Sequence, residues 1–152
     1  DISSPQEAIA LLGRAIPLIR TVVEAQPDYS RRKRDLAYML ALRGSVQIEN
    51  NLNVKAGLVD IEESALLFTK RAINNPQEGK AQGDFENTMM QFSQLLTNAG
   101  KSDLVTKICV DSINQLEHVA SGESTAGRDD WIKILSRLRT QIEQPKTAAV
   151  PQ

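Results

Sequence analysis

An all-α fold of about six antiparallel helices follows from three observations on this 152-residue sequence. Apolar residues recur at spacings of three and four in six separate stretches, and none alternates as a half-buried strand would. Helix-start residues stand before those stretches, and turn residues separate them. Aromatic side chains make up only 4% of the residues, so Leu, Ile, Val, Ala and Met must fill the core. Those residues suit helix packing better than a pleated sheet, which favours β-branched and aromatic side chains.

The first helix, expected near 5–25, carries Ile9, Leu12, Ile16, Ile19 and Val23 on one face. Ser4, Pro5 and Glu7 announce it: an N-cap, a proline at the first helical position and a capping-box carboxylate. Pro17 removes one helical hydrogen bond and crowds the carbonyl of Gly13, which predicts a kink rather than a break. The second helix, near 29–51, has Leu36, Ala37, Leu40, Gly44 and Ile48 on one side, with Asp28 or Ser30 as cap. The third, near 54–74, follows Asn53 and presents Leu58, Ile61, Ala65, Phe68 and Ala72. The fourth, near 77–99, presents Phe85, Met89, Phe92, Leu96 and Ala99. Asn75 to Glu78 repeats the start signal of the first helix, and Gly100 supplies a stop. The fifth, near 103–120, follows Ser102 with Val105, Ile108, Cys109, Ser112, Leu116 and Val119. The sixth, near 127–143, follows Ser124 or Thr125 with Trp131, Ile134, Leu138 and Ile142. Residues 144–152 have no stripe and read as a tail, so one domain covers 4–143. Short loops make successive helices antiparallel neighbours.

Composition narrows the function. Eighteen basic residues against nineteen acidic ones leave a net charge of −1, which argues against a nucleic-acid reader. No apolar run approaches the roughly 20 residues of a membrane-spanning helix. The sequence starts at Asp1 rather than Met and is expected to be a piece of a longer polypeptide. Both a cytoplasmic domain and the extramembrane part of an anchored protein fit, so the location stays open. Cys109 has no partner for an internal disulfide.

No constellation suggests catalysis. His118 is the single histidine and has no recognisable nucleophile or orienting acid around it. His118 and Cys109 alone cannot complete a zinc set. Cys109, on an apolar face, reads as a buried inert thiol. Asp60, Glu62 and Glu63 read as a solvated acidic face, and Gly122 and Gly127 lack the spacing of a phosphate loop. No cofactor is expected. The basic run Arg31, Arg32, Lys33 and Arg34 opens the second helix, where positive charge mildly opposes the helix dipole. It reads as a solvated helix start, with docking of an acidic partner on Arg31, Arg32 and Lys33 as the other reading.

A shift of 49 residues places Pro27 on Pro76, Asp35 on Asp84 and Leu36 on Phe85. It also pairs Ala8, Leu12 and Ala15 with Gly57, Ile61 and Ser64, alike in size rather than identity. A small residue, a bulky one four later and a small one three after that, with Gly44 and Ser93 in the preceding helices and prolines closing the units, resemble degenerate tetratricopeptide-like repeats. That family's unit is 34 residues, so these helices are longer by roughly two turns. The resemblance extends to long-helix repeats appended to bacterial signalling proteins. It implies an α-α superhelix whose inner wall binds a protein or peptide. Transferred position by position, the inner wall falls on Tyr38, Ala41, Ser45 and Glu49, then on Asn87, Met90, Gln94 and Asn98. Asn and Gln amides would hold a peptide backbone, while Met90 and Tyr38 grip a side chain. The family's lysine and arginine clamp for chain-terminal carboxylates is absent from these positions. The expected function is therefore a non-catalytic interaction module. The alternative is a regulatory or oligomerisation domain that forms a homodimer through its first or last helix, which exposed Trp131, Ile132 and Leu135 on the last helix would favour.

Overall fold

The computed structural model describes residues 4–27, 30–76, 78–122 and 128–143. Asp28, Gln77, Ser124, Thr125, Gly127 and the 144–152 tail lie outside them. The described residues are all-helical: α1 (Pro5–Ala25), α2 (Ser30–Glu49), α3 (Val54–Asn74), α4 (Gly79–Asn98), α5 (Ser102–Val105), a π-helical turn (Thr106–Val110), α6 (Asp111–Gly122) and α7 (Arg128–Glu143). The α5, π and α6 segments follow one another without a gap, so the elements make six rods, as the six stripes predict.

Local chemistry sets the boundaries. The Ser4 hydroxyl accepts from the Glu7 N–H at 3.2 Å and the Asn53 side chain accepts from the Ala56 N–H at 3.1 Å, each satisfying a first-turn donor. Helix α1 runs unbroken through Pro17. At the end of α4, Gly100 has φ +69°, the Gly100 N–H reaches the Thr97 carbonyl and the Lys101 N–H reaches that of Leu96. That is a Schellman closure. The end of α2 repeats it, with Asn51 at φ 51° and the Leu52 N–H on the Gln47 carbonyl. Helix α4 starts later than its sequence signal. The Asn75 amide is spent on the Arg71 carbonyl at the end of α3, and Glu78 stands at the N-cap with its carboxylate on Arg71. Ser102 is the first residue of α5, and Lys101 occupies its cap position.

The 49-residue spacing recurs in the coordinates. Pro5 and Ala25 bound α1, and the residues 49 positions on, Val54 and Asn74, bound α3. The same interval carries Ser30 and Glu49 of α2 onto Gly79 and Asn98 of α4. It also carries Asn51 onto Gly100, the two with positive φ among the described residues. The C-cap residues Gln26 and Asn75 share nearly one backbone conformation, φ −134° and −135°.

Packing follows chain order and also skips alternate helices. Helix α2 packs on α1 and, most extensively, on α3; α4 touches α2, α3 and α7; α6 touches α3 and α7. The α2/α3 seam depends on two glycines. A Cβ on Gly44 would lie 2.7 Å from the Gly57 carbonyl oxygen, and one on Gly57 would lie 2.8 Å from that of Gly44. Across the same seam the Ser64 hydroxyl donates to the Ala37 carbonyl at 2.7 Å. One large core joins α3 to α7 around Phe85, Met89, Phe92, Leu96, Cys109 and Trp131. A smaller cluster, Ile16, Leu36 and Leu40, ties α1 to α2.

Candidate functional site

The C-terminal halves of α2 and α4 enclose a groove of about 480 Å³. Ser45, Glu49, Gln94 and Asn98, four of the eight expected inner-wall residues, line it. Their helical spacing put them there, since Ser45 and Glu49 share one face of α2 while Gln94 and Asn98 share one face of α4. The Gln94 side-chain amide donates to the Asn98 amide oxygen at 2.7 Å, leaving the Gln94 carbonyl and the Asn98 NH₂ available to a ligand. Ile48, Gln91, Leu95 and Ala99 complete the lining. Sequence reasoning missed these four. Ile48 read only as core, and Gln91 sits one turn ahead of Leu95 and Gln94, a spacing that could have found it.

The other four expected residues lie elsewhere. Asn87 is exposed away from this groove, and Ala41 and Met90 are half-buried against the main core. Tyr38 is 40% exposed, but its hydroxyl donates to Asp84 Oδ1 at 2.8 Å and its ring meets Phe68 edge-on at 4.9 Å. Its phenol is pushed up by burial and by that hydrogen bond to a carboxylate. Tyr38 is thus a member of a polar cluster joining α2, α3 and α4, and no free side chain for gripping a ligand.

Asp84 is the centre of that cluster. Arg34 Nε donates to Oδ2 at 2.5 Å and Arg34 Nη2 to Oδ1 at 3.1 Å. Arg71 Nη1 adds a bond to Oδ2 at 2.8 Å while its Nη2 holds Glu78 at 2.6 Å. Burial alone would raise the Asp84 carboxyl. The hydrogen bonds from Arg34 and Tyr38 and the two guanidinium charges outweigh it, holding the group below the usual carboxylate range. Arg34 therefore leaves the basic run to become structural. Arg31 is exposed, Arg32 bonds Asp35 at 3.3 Å, and Lys33 lines a separate cavity of about 370 Å³ with Lys70 and Arg71. Arg31 and Arg32 do not line that cavity.

Two expectations are corrected. Of the three acidic residues expected on a solvated face of α3, only Glu62 is exposed, and it pairs with Lys107 at 2.8 Å. Asp60 is buried at 4% exposure and takes a two-pronged bond from Arg43 at 2.7 and 2.8 Å. Glu63 accepts from Arg20 at 2.5 Å. The arginine partners are 17 and 43 residues away, beyond the reach of helix periodicity. Trp131 and Leu135 are not exposed on the last helix either. They are 3% and 1% exposed, and the indole N–H donates to the Pro76 carbonyl at 2.6 Å. Only Ile132 of that trio reaches solvent, at 45%, so the three do not form the exposed patch expected on the last helix.

Cys109 is fully buried, with its thiol pushed up to about 12 by burial. His118 is exposed on α6. Among the described residues no group of three His, Cys, Asp or Glu side chains could hold a metal ion, and no helix is long and apolar enough to cross a membrane. No protein-family model, curated protein or solved structure matches the chain.

Proposed function

We propose that this chain is a non-catalytic protein-interaction module, a long-helix relative of tetratricopeptide arrays, that seats a peptide or partner helix between α2 and α4. The observation that carries this reading is the groove itself, with Ser45 and Glu49 on one wall and Gln94 and Asn98 on the other. Ile48 and Leu95 offer it an apolar floor. Side-chain amides on one wall suit a peptide backbone, which has donors and acceptors to match. Glu49 adds a preference for a basic residue beside the apolar anchor. The repeated helix pairs support an α-α superhelix with this groove on its inner side. Service within a bacterial signalling or regulatory protein rests on the resemblance alone. Affinity would come from one or two anchors rather than from total area.

The test is selection of 12-residue peptides from a random display library on the folded chain. Peptides that use the groove should bind Gln94→Trp at least tenfold more weakly, because the indole fills the space between the walls. They should bind Arg31→Glu unchanged. Selected peptides that bind Gln94→Trp as well as the parent chain, with its helical circular dichroism intact, would place the binding surface elsewhere. Failure to enrich any peptide would also count against the reading.

A further inference from the structure

Helix α1 carries two apolar stripes, and only one is covered. Leu12, Ile16, Ile19 and Val23 pack with α2. A second set, Ala8, Leu11, Ala15, Leu18 and Val22, repeats at steps of three and four about a quarter-turn away. Its large members are open: Leu11 is 42%, Leu18 71% and Val22 39% exposed. A heptad-spaced apolar stripe on a charged protein's surface is an interface looking for its other half.

The same chain shows what the other half is. The residues 49 positions on are Gly57, Asp60, Ser64, Leu67 and Arg71 of α3, the face that meets α2 or its contacts. Gly57 meets Gly44, Asp60 holds Arg43 and Ser64 bonds the Ala37 carbonyl. Leu67 packs in the small core with Leu36 and Leu40, and Arg71 shares Asp84 with Arg34. Helices α1 and α3 match end to end under this interval. The open stripe of α1 also borders its contact with α2, with Ala8 and Ala15 half-buried at the edge.

We infer that this stripe receives an antiparallel helix from the same polypeptide, the stretch directly upstream of Asp1, as α2 directly precedes α3. It is the face of α1, and not the position of Asp1, that asks for this helix. Its contact side is apolar. Where α3 offers Asp60 and Arg71 to paired charges, α1 offers Leu11 and Val22, so the incoming helix needs no counterpart of Arg43. It carries a small residue opposite Ala8, with an approach slightly wider than at Gly57 because Ala8 has a Cβ. The face is distinct from the groove between α2 and α4.

The test compares two chains, the 152-residue chain and the same chain extended upstream of Asp1 as its parent polypeptide encodes. Leu18→Cys and, on the opposite side of α1, exposed Gly13→Cys are labelled with a maleimide; native Cys109 is buried and serves as the blank. In the shorter chain both introduced thiols should label at similar rates. In the extended chain Leu18→Cys should slow at least tenfold while Gly13→Cys is unchanged. Ala15→Leu, read by thermal unfolding, should lower the melting temperature of the extended chain and leave the shorter one within a degree or two. Equal labelling of Leu18→Cys in both chains would overturn the inference. So would protection in the shorter chain that grows with concentration, which would assign the stripe to a second copy. Neither result touches peptide binding at Gln94, so the two proposals fail separately.

Discussion

Alanine at Gly44 puts two known effects in opposition. Glycine inside a helix is worse than alanine by about 1 kcal/mol, so intrinsic propensity favours the substitution. Against it stands the α2/α3 seam. The new Cβ would lie 2.7 Å from the Gly57 carbonyl oxygen, 3.0 Å from Ile61 Cγ1 and 3.1 Å from Asp60 Cβ. The nearest atom is backbone inside a helix and cannot swing away, so the two helices must part. Overpacking of this kind costs about 1–3 kcal/mol. Parting also stretches the Ser64 bond to the Ala37 carbonyl and the Arg43–Asp60 pair, which cross the same seam at 2.7–2.8 Å. A buried hydrogen bond left unmade adds about 1–3 kcal/mol. The seam wins, and Gly44→Ala should lose about 2 kcal/mol net. Gly13 is the control: it is exposed within α1, nothing lies within 4 Å of its notional Cβ, and alanine there should gain about 0.5–1 kcal/mol. Urea unfolding followed by helical circular dichroism reads both. With a slope of about 1.5 kcal/mol per molar urea, Gly44→Ala should move the midpoint down by about 1.3 M while Gly13→Ala moves it up. If Gly44→Ala rises with Gly13→Ala, propensity alone governs both sites and the close crossing of α2 and α3 is wrong.

Three further outcomes follow from the polar and buried groups. Asp84→Asn strips Arg34 of its counter-charge and leaves Arg71 with Glu78 alone, and should cost about 3 kcal/mol in the same urea assay; a loss below 0.5 kcal/mol would show the cluster to be solvent-screened. The Asp84 carboxyl is held below its unfolded value of about 4, so its contribution is full above that value and is lost as pH falls through the lower folded value. Asp84→Asn should therefore flatten the acid limb of stability below about pH 4, and an unchanged limb would deny the shift. Cys109, with its thiol near 12, should label with maleimide at pH 8 only as fast as the chain unfolds, at least a hundredfold slower than an exposed thiol; rapid labelling under native conditions would contradict its burial.

Helix existence and much of the pairing were legible because their signals are local. Ser4, Asn53 and Gly100 act where their residue types say they should, and the offset seen in Pro27 and Pro76 reappears in the bounds of four helices. The Schellman closure at Asn51 was overlooked although asparagine is the residue that best replaces glycine at positive φ. The π turn at Thr106–Val110 has no local signature. It begins at the residue that the 49-residue interval places on Gly57, where the second pair has Thr106 instead of glycine. The site was legible by halves. Ser45, Glu49, Gln94 and Asn98 needed only helix spacing, whereas the capture of Tyr38 by Asp84 depends on a contact 46 residues away. Asp60 shows the same limit, since a carboxylate on an otherwise acidic helix face reads as solvated until its arginine is located.

The buried charges bear on the groove more than on the stability total. Desolvating Asp84, Arg34 and Arg71 offsets most of what their attraction contributes, and buried Arg71 Nε finds no hydrogen-bond partner. An apolar contact could hold the helices together as firmly. What the charges add is direction: Arg34 approaches Asp84 edge-on from α2 and Arg71 from α3, and the carboxylate on α4 accepts both in one geometry. Apolar stripes tolerate sliding and small changes of crossing angle, whereas a two-pronged guanidinium contact does not. The cluster pins the N-terminal half of α4 to α2, and the direct contact between those two helices is otherwise slight. Toward their C-terminal halves nothing comparable draws them together, and there the groove between Glu49 and Gln94 opens. The spacing of its walls is thus set at the other end of the same two helices, by residues that no ligand in the groove would touch.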